Sequence, residues 1–193
     1  MCKGDACIVA YSPKYQSYFD ELTKLTDAKE LITTINQTYP LKAYQLMEFV
    51  KERVFDYKDA RMLKRDDYRL FETFFKKAYP SVSEIDWLKG YFEEKVDKEF
   101  FFGYINDDGL VAACDAPDMP YMDGYIQHTG IITLPAYRKK GYAKLCTALA
   151  THHHIQLGIV PQWECTLGNV ASIELAKSIG YKEFAQAFIF EES

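Results

Sequence analysis

The most informative stretch of this sequence is Thr133-Leu134-Pro135-Ala136-Tyr137-Arg138-Lys139-Lys140-Gly141-Tyr142-Ala143. A strand rich in β-branched residues ends there, the chain turns through Pro135, and a long helix begins at a basic turn that contains glycine. Helix N-termini carry unpaired backbone N–H groups and a partial positive charge, so they bind anions. Gly141 lets the backbone approach a bulky anion, and Ala143 keeps the next turn clear. The stretch therefore predicts an anion site at the start of the helix.

The charges of this turn support the same interpretation. Four cations, at Arg138, Lys139, Lys140 and Lys144, fall within seven residues of a chain whose net charge is −5. Cations at a helix N-terminus oppose the helix dipole, at about 0.3–1 kcal/mol each when exposed. The charges alone fit an ordinary solvated helix end equally well. The glycine and the preceding strand and turn favour a bound anion.

Residues 58–193 show a regular order of strands and helices. Strands are predicted at Ala60–Leu63, Phe100–Asn106, Leu110–Cys114, Tyr125–Leu134, Ile159–Leu167 and Tyr181–Phe190. Helices are predicted at Asp66–Tyr79, Ser83–Lys95, Arg138–Leu157 and Val170–Ile179. The fold class is therefore α/β, with a mixed twisted sheet and helices on both of its faces.

Residues 1–57 are less regular. A short strand is predicted at Cys7–Tyr11, followed by helices at Pro13–Leu25, Asp27–Thr38 and Leu41–Val54. Apolar residues such as Phe19, Leu46 and Phe49 require a partner surface. We predict a mainly helical N-terminal extension, 1–57, packed on a main domain, 58–193.

Composition limits the classes of function. With 193 residues, of which 48% are hydrophobic, the chain suits one globular domain, and its net negative charge argues against nucleic-acid and membrane partners.

The cysteines and histidines do not indicate a metal site. The five cysteines are odd in number and lack CxxC spacing, which implies neither a zinc site nor a disulfide framework. Consecutive helical side chains point about 100° apart, so His152-His153-His154 cannot converge on one metal ion and should lie along the exposed or edge side of the helix. With no leader peptide and no apolar run of 18 residues, a cytoplasmic location is expected.

Two motifs resemble a known family. The pattern Arg-x-x-Gly-x-Ala at Arg138–Ala143, after Thr-Leu-Pro, resembles the acetyl-CoA pyrophosphate loop of the GCN5-related N-acetyltransferase (GNAT) superfamily. The second motif, Pro161-Gln162-Trp163-Glu164-Cys165 followed by Asn169–Tyr181, is similar to the second half of that family, where Asn-x-x-Ser/Ala precedes a helix ending in Gly-Phe/Tyr. The resemblance covers residues 60–193. It is strongest to the branch called simply GNAT acetyltransferase, whose acceptors are poorly defined.

The resemblance implies a cosubstrate site. It implies acetyl-CoA, no metal, and a V-shaped splay between the strand ending at Leu134 and the strand near Trp163. The pantetheine arm would pair with backbone in this gap, and the pyrophosphate would lie on the helix turn. The cofactor-binding residues so implied are Ile132, Thr133, Leu134, Arg138, Lys139, Lys140, Gly141, Tyr142, Ala143, Lys144, Asn169 and Ser172. Asn169 is equally suited to be a helix N-cap, and the two roles can coexist.

One position departs from the family. Many relatives carry a Tyr four residues before the closing Gly, where it protonates the leaving thiolate, and this chain has Ala176 there. The candidates that remain for protonating the thiolate are Ser172, Tyr142, Cys165 and water. The departure leaves open a non-catalytic acyl-CoA-binding or regulatory module on the same fold.

Two residues are candidates for the general base that acetyl transfer to an amine needs. Alternation puts His128 on the same side of its strand as Gly130 and Ile132, and an imidazole has an intrinsic pKa near neutrality. A structural histidine is the competing interpretation. Glu164 lies on the opposing strand, where a surface carboxylate is the alternative.

The acceptor is predicted only as a small-molecule or peptide amine, attacked directly in a ternary complex. The acidic loop with Asp115, Asp118 and Asp123 could attract a cationic amine or simply be solvated. A homodimer is left open.

Overall fold

The computed structural model describes residues 1–4, 6–51, 53–117, 122 and 124–190. Its helices are α1 (Gln16–Leu22), α2 (Ala28–Thr38), α3 (Tyr68–Ala78), α4 (Leu88–Asp97), α5 (Tyr142–Gln156) and α6 (Val170–Ile179). Its strands are β1 (Cys2–Lys3), β2 (Ala6–Cys7), β3 (Lys42–Phe49), β4 (Ala60–Met62), β5 (Phe102–Asn106), β6 (Gly109–Asp115), β7 (Ile126–His128), β8 (Gly130–Thr133), β9 (Val160–Thr166) and β10 (Tyr181–Ile189). None of the helices in these parts of the chain is both long and apolar enough to cross a membrane.

The strands form two sheets that part within one predicted strand. The larger sheet has the order β2-β1-β10-β3-β9-β7, and the smaller has β4-β5-β6-β8. The segment predicted as one strand, Tyr125–Leu134, is divided at Thr129 into β7, which pairs in parallel with β9, and β8, which pairs with β6. The parallel pairing ends at His128↔Gln162, and no further pair joins β8 to β9 among the described residues. The two sheets therefore diverge where the splay was predicted.

Helices cover both faces of the smaller sheet, as predicted for an α/β fold. Helices α3 and α4 pack against one face through Phe71, Phe74, Leu88 and Phe92. Helix α5 packs against the other face, where Cys146 and Ala150 contact Val111 and Cys114. Helices α5 and α6 also cover the larger sheet, and Ala148 and Ala176 contact Met47 and Trp163. The motif helix α5 thus spans both sheets and fixes its N-terminus beside the gap.

The segment Leu41–Val54 was predicted to be a helix, and this prediction is wrong. It contains β3, which pairs antiparallel with β10 along one edge and with β9 along the other. Met47 is fully buried, and the Gln45 side chain donates a hydrogen bond of 2.9 Å to the Ala185 carbonyl. The residues Leu, Met and Glu are good helix formers, and a strand buried at the centre of a sheet lacks the alternation that would reveal it.

Strand β3 connects the two predicted parts of the chain. Residues 1–57 contain α1 and α2, but they also supply a strand that lies between β9 and β10. A boundary at residue 57 cuts through this sheet, because β3 forms hydrogen bonds along both of its edges. The N-terminal segment therefore contributes a strand to the larger sheet, as well as the helices predicted for it.

The cysteines differ in part from expectation. Cys2 and Cys7 form a disulfide across the β1–β2 hairpin, where they are directly paired with their Cα atoms 4.2 Å apart. No residue pattern indicated this bridge, because the pairing depends on the hairpin register. Cys146 and Cys165 are buried thiols, as predicted, and so is Cys114.

His154 is not on the exposed side of α5, where it was expected. Its side chain is only 1% exposed, and its ring lies 5.1 Å from that of Phe100, centre to centre. Neither ring nitrogen has a hydrogen-bond partner in the described structure. Burial, with a smaller effect of neighbouring His153, lowers the pKa of His154 to about 4.

This buried histidine predicts a loss of stability in acid. Because its folded-state pKa lies below that of a free histidine, the unfolded chain takes up the proton first as the pH falls below about 6.5. The contribution of His154 to the free energy of unfolding is therefore complete above about pH 6.5 and decreases as the pH falls toward 4. Between pH 7 and pH 5 we expect His154 to lower the free energy of unfolding by about 2 kcal/mol. Urea unfolding of His154→Leu should show a smaller loss over this range, whereas the control His152→Leu should behave as wild type. An unchanged pH dependence in His154→Leu would contradict this account.

Candidate active site

The N-terminus of α5 forms an open backbone cradle. Its N-cap is Gly141, which adopts a left-handed conformation with φ of +86° and provides no side-chain cap. Lys139 is also left-handed, with φ of +61°. A Cβ atom placed on Gly141 would meet no described atom within 4 Å. The first-turn N–H groups, which have no partner within the helix, therefore face open space that an anion can fill.

The cations around this cradle pack on its borders. The Lys140 Nζ atom lies 5.1 Å from the centre of the Tyr137 ring, and the Lys144 Nζ atom lies 5.2 Å from that of Phe55. The Arg138 Nε atom donates a hydrogen bond of 3.2 Å to the Thr133 carbonyl at the end of β8. The positive charge predicted from the sequence is thus gathered at the point where β8 passes into α5.

Strand β8 presents one backbone edge to the gap. Its other edge pairs with β6, at Ile132↔Ala113 and Thr133↔Ala112, and the Leu134 amide continues the ladder to Val111. Backbone pairing of β8 to any strand but β6 is absent from the described residues. The edge toward β9 is therefore geometrically suited to an extended ligand.

The far side of the gap is formed by β9 and the start of α6. The Asn169 side chain caps α6 by accepting a hydrogen bond from the Ser172 amide at 3.1 Å, which confirms the N-cap interpretation. The Ser172 hydroxyl accepts a hydrogen bond of 3.0 Å from the Trp163 indole nitrogen. These contacts tie α6 to β9 and fix the polar groups at the helix start.

The candidate base His128 lies where the two sheets part. Its Nε2 atom is 2.6 Å from the Gln162 side-chain oxygen. That oxygen can only accept, so Nε2 carries the proton and Nδ1 is left as an acceptor. Glu164 is two residues beyond Gln162 and so on the same face of β9. Sequence reasoning missed Gln162, because its pairing with His128 depends on the register between β7 and β9.

The candidate acids occupy different surroundings. Ala176 is fully buried and has no proton to give. The Tyr142 ring stacks on Tyr104, 4.2 Å away, and both lie in the core between α5 and β5. Burial has the largest effect on the pKa of the Cys165 thiol and raises it. Ser172, held by Trp163, is the remaining hydroxyl at the start of α6.

A cavity of about 530 Å³ lies between helices α3 and α4 and the sheet. Its floor includes Gly130, Ile131 and Ile132 of β8. Asp115, at the end of β6, lines it and accepts a hydrogen bond from the Tyr91 hydroxyl. The walls are aromatic and are formed by Phe71, Phe74, Phe75, Tyr79, Trp87, Tyr91 and Phe101. The helical spacing of the α3 aromatics is the same whether they face a core or a cavity. Asp118 and Asp123 of the acidic loop lie outside the described residues.

A family model described as GNAT acetyltransferase matches residues 9–188 of the chain. The chain belongs to this family. The match begins before α1 and ends within β10, so residues 9–57 of this GNAT acetyltransferase, including β3, fall within the family match. A search of curated proteins returned no match.

Solved structures show the same fold. A GNAT-family acetyltransferase from Colwellia psychrerythraea is 17% identical, with a TM-score of 0.67 over 94% of this chain and 76% of that one. A GNAT-family protein from Novosphingobium aromaticivorans, described as an acetyltransferase, is 18% identical, with a TM-score of 0.59 over 77% of this chain and 62% of that one. The enzyme AAC(6')-Iy, solved with the bisubstrate analogue CoA-S-monomethyl-acetylneamine, is 19% identical, with a TM-score of 0.57 over 70% and 97%.

Proposed function

We propose that this GNAT acetyltransferase transfers an acetyl group from acetyl-CoA to a primary amine by direct attack in a ternary complex. The observation that carries the proposal is the uncapped N-terminus of α5 at Gly141, set at the mouth of a gap between two sheets. The bisubstrate analogue bound by AAC(6')-Iy supports direct transfer on this fold. The same surroundings provide both a phosphate cradle and a free strand edge.

The cosubstrate would be held on both sides of the gap. Backbone amides of residues 139–144 would receive the pyrophosphate, and Arg138, Lys140 and Lys144 would add positive charge at the rim. The edge of β8 at residues 132–134 would pair with the amides of the pantetheine arm. Asn169 and Ser172 would contact the arm from the α6 side, in addition to their structural hydrogen bonds.

The reaction needs two proton movements. The amine nitrogen attacks the thioester carbonyl carbon, the new C–N bond forms, and the C–S bond breaks to release the thiolate. His128 Nδ1 would accept the proton lost by the amine, because Gln162 occupies Nε2. Ser172 would pass its hydroxyl proton to the thiolate and regain one from water, since Trp163 occupies only an acceptor position of its oxygen. Backbone N–H groups at the edge of β8 would stabilise the carbonyl oxygen as it becomes negative.

Replacement of the base gives a direct test of this chemistry. We expect His128→Asn to lower kcat by about 100-fold with little change in CoA affinity, because the amine then loses its proton acceptor. The acidic limb of the rate–pH profile should disappear in the same variant. Release of free thiol from acetyl-CoA, followed across pH with a panel of amines, measures both effects.

Glu164→Gln serves as the comparison in that experiment. Glu164 lies on the same face but is not hydrogen-bonded to Gln162, so its replacement should change kcat much less. If Glu164→Gln removes the acidic limb instead, Glu164 is the base. If both variants keep the wild-type rate at every pH, the transfer proceeds without either group.

The buried Ala176 favours a second candidate, a non-catalytic acyl-CoA-binding module. Such a module would bind CoA yet release no thiol from acetyl-CoA with any amine. Single-turnover measurement of thiol release therefore distinguishes it from the enzyme.

A further inference from the structure

The geometry points to a primary amine on an aromatic group as the acceptor, with that group in the α3–α4 cavity and its ammonium against Asp115. This inference rests on the proposed acetyl transfer. It concerns the cavity bordered by Phe71, Phe75, Tyr79, Trp87, Tyr91 and Phe101.

The size and aromatic walls of the cavity favour an acceptor whose non-reacting part is an aromatic ring. At about 530 Å³ it lies within the range typical of small-molecule sites and has room for a single aromatic ring with its side chain. Its rings already pack edge-to-face, with Phe75 and Trp87 5.6 Å apart and Trp87 and Tyr91 5.9 Å apart. A further ring can join this arrangement with the same favourable geometry. Trp87 is 52% exposed at the rim, where its indole nitrogen donates a hydrogen bond of 3.1 Å to the Glu84 carbonyl and holds the ring beside the opening.

Asp115 selects the charge of the acceptor. It is the sole charged side chain among the described residues that line the cavity. Buried Lys95 lies on the Tyr91 ring, with its Nζ atom 5.6 Å from the ring centre, and is not one of those lining residues. One carboxylate in an apolar cavity pairs well with one ammonium group, and a polycation would leave its other charges without partners there.

The carboxylate is held in position by its neighbours. Tyr91 donates a hydrogen bond to Oδ2, and the absence of a side chain at Gly130 makes room for Oδ1, because a Cβ atom there would collide with it. Burial and then the charge of Asp115 raise the pKa of Tyr79, which places that hydroxyl in the same electrostatic surroundings. Asp115 is therefore an oriented group rather than a mobile surface charge.

The position of Asp115 connects the cavity to the reacting atoms. Asp115 is paired with Gly130 at the start of β8, and His128, the last residue of β7, is separated from Gly130 only by Thr129. An ammonium at Asp115 thus lies between the aromatic walls and the proposed base. The ammonium loses one proton to solvent before attack and a second to His128 as the amide forms, while Ser172 protonates the CoA thiolate and is reprotonated through water.

An acceptor panel tests this assignment in the full-length protein. With saturating acetyl-CoA, thiol release is measured for 2-phenylethylamine, propylamine, spermidine and the peptide Ala-Ala-Ala. We expect kcat/KM for 2-phenylethylamine to exceed that for each of the others by about 30-fold or more, because its ring is buried in the cavity.

A variant tests the role of the carboxylate. Asp115→Asn, which retains the shape and a hydrogen-bond acceptor for Tyr91, should raise the KM for 2-phenylethylamine about 10-fold or more, with unchanged CoA affinity. Asp20→Asn, on exposed α1, is the matched control.

A second variant isolates the aromatic wall. Trp87→Ala should raise the KM for 2-phenylethylamine and leave that for propylamine unchanged, because only the ring contacts Trp87. Loss of both activities together would indicate general damage and would overturn the assignment of the wall.

Calorimetry with CoA distinguishes failure of the aromatic-amine inference from failure of the proposed acetyl transfer. A protein that binds CoA but prefers spermidine or the peptide, or whose Asp115→Asn variant is unchanged, overturns the aromatic-amine inference alone. Failure of 2-phenylethylamine to bind the CoA-saturated protein does the same. A protein that binds no CoA overturns the proposed acetyl transfer and this inference with it.

Discussion

Gly141→Val is expected to weaken CoA binding by about 100-fold while the protein stays folded. The glycine has φ of +86° and its missing side chain faces open space, so a valine would project into the cradle at the start of α5. Its methyl groups would occupy the space that the pyrophosphate needs in order to reach the first-turn amides. Loss of several such charge-assisted hydrogen bonds accounts for the size of the effect. Titration calorimetry with CoA, alongside a thermal unfolding curve, measures affinity and folding separately.

The control for this variant lies at the other end of the same helix. Gly158 also has a left-handed conformation, with φ of +76°, and its Cβ position is equally free of neighbours. Gly158→Val therefore carries a similar backbone strain of about 1–2 kcal/mol without touching the cradle. We expect it to lower the melting temperature and to bind CoA as wild type does. Equal CoA affinity in both variants would exclude the α5 turn as the phosphate site.

Removal of residues 1–57 is expected to abolish cooperative folding. The deletion takes away β3, whose eight residues pair with β10 and whose central part pairs with β9. Both neighbours would then expose unpaired backbone groups, and the core would lose the fully buried Met47. Circular dichroism and thermal unfolding of the 58–193 fragment should show no cooperative transition.

A shorter deletion distinguishes this effect from damage to the N-terminus in general. Removal of residues 1–10 takes away only the edge hairpin of β1 and β2, so the order β10-β3-β9-β7 stays intact. We expect this variant to unfold cooperatively and to bind CoA. A 58–193 fragment that folds and binds CoA would show that β3 is dispensable.

The local features of this protein were predictable from its sequence. The turn at 133–143, the helix that follows it and the hairpin at Asp107-Asp108-Gly109 depend on neighbouring residues, and the structure has each of them. The cap at Asn169 was predictable for the same reason. These features let the family be recognised.

Features set by distant pairing were not predictable. The helix-forming residues of β3 become a strand only because β9 and β10 flank them. Gln162 becomes a partner of His128 only through the parallel register of β7 and β9. The aromatic residues of α3 have the same spacing whether they fill a core or line a cavity, so the sequence could not assign Phe71 and Phe75 to the cavity.

Thermal unfolding of the full-length wild-type protein with and without CoA tests the central claim most directly. A ligand at 100 times its dissociation constant adds about 2.7 kcal/mol to the free energy of unfolding. Binding at the α5 cradle therefore predicts a melting temperature that rises with the logarithm of the CoA concentration above the dissociation constant, and a rise in Gly141→Val that begins only at about 100-fold higher CoA. An unchanged melting temperature at millimolar CoA would contradict the assignment of this chain as an acetyl-CoA-dependent enzyme.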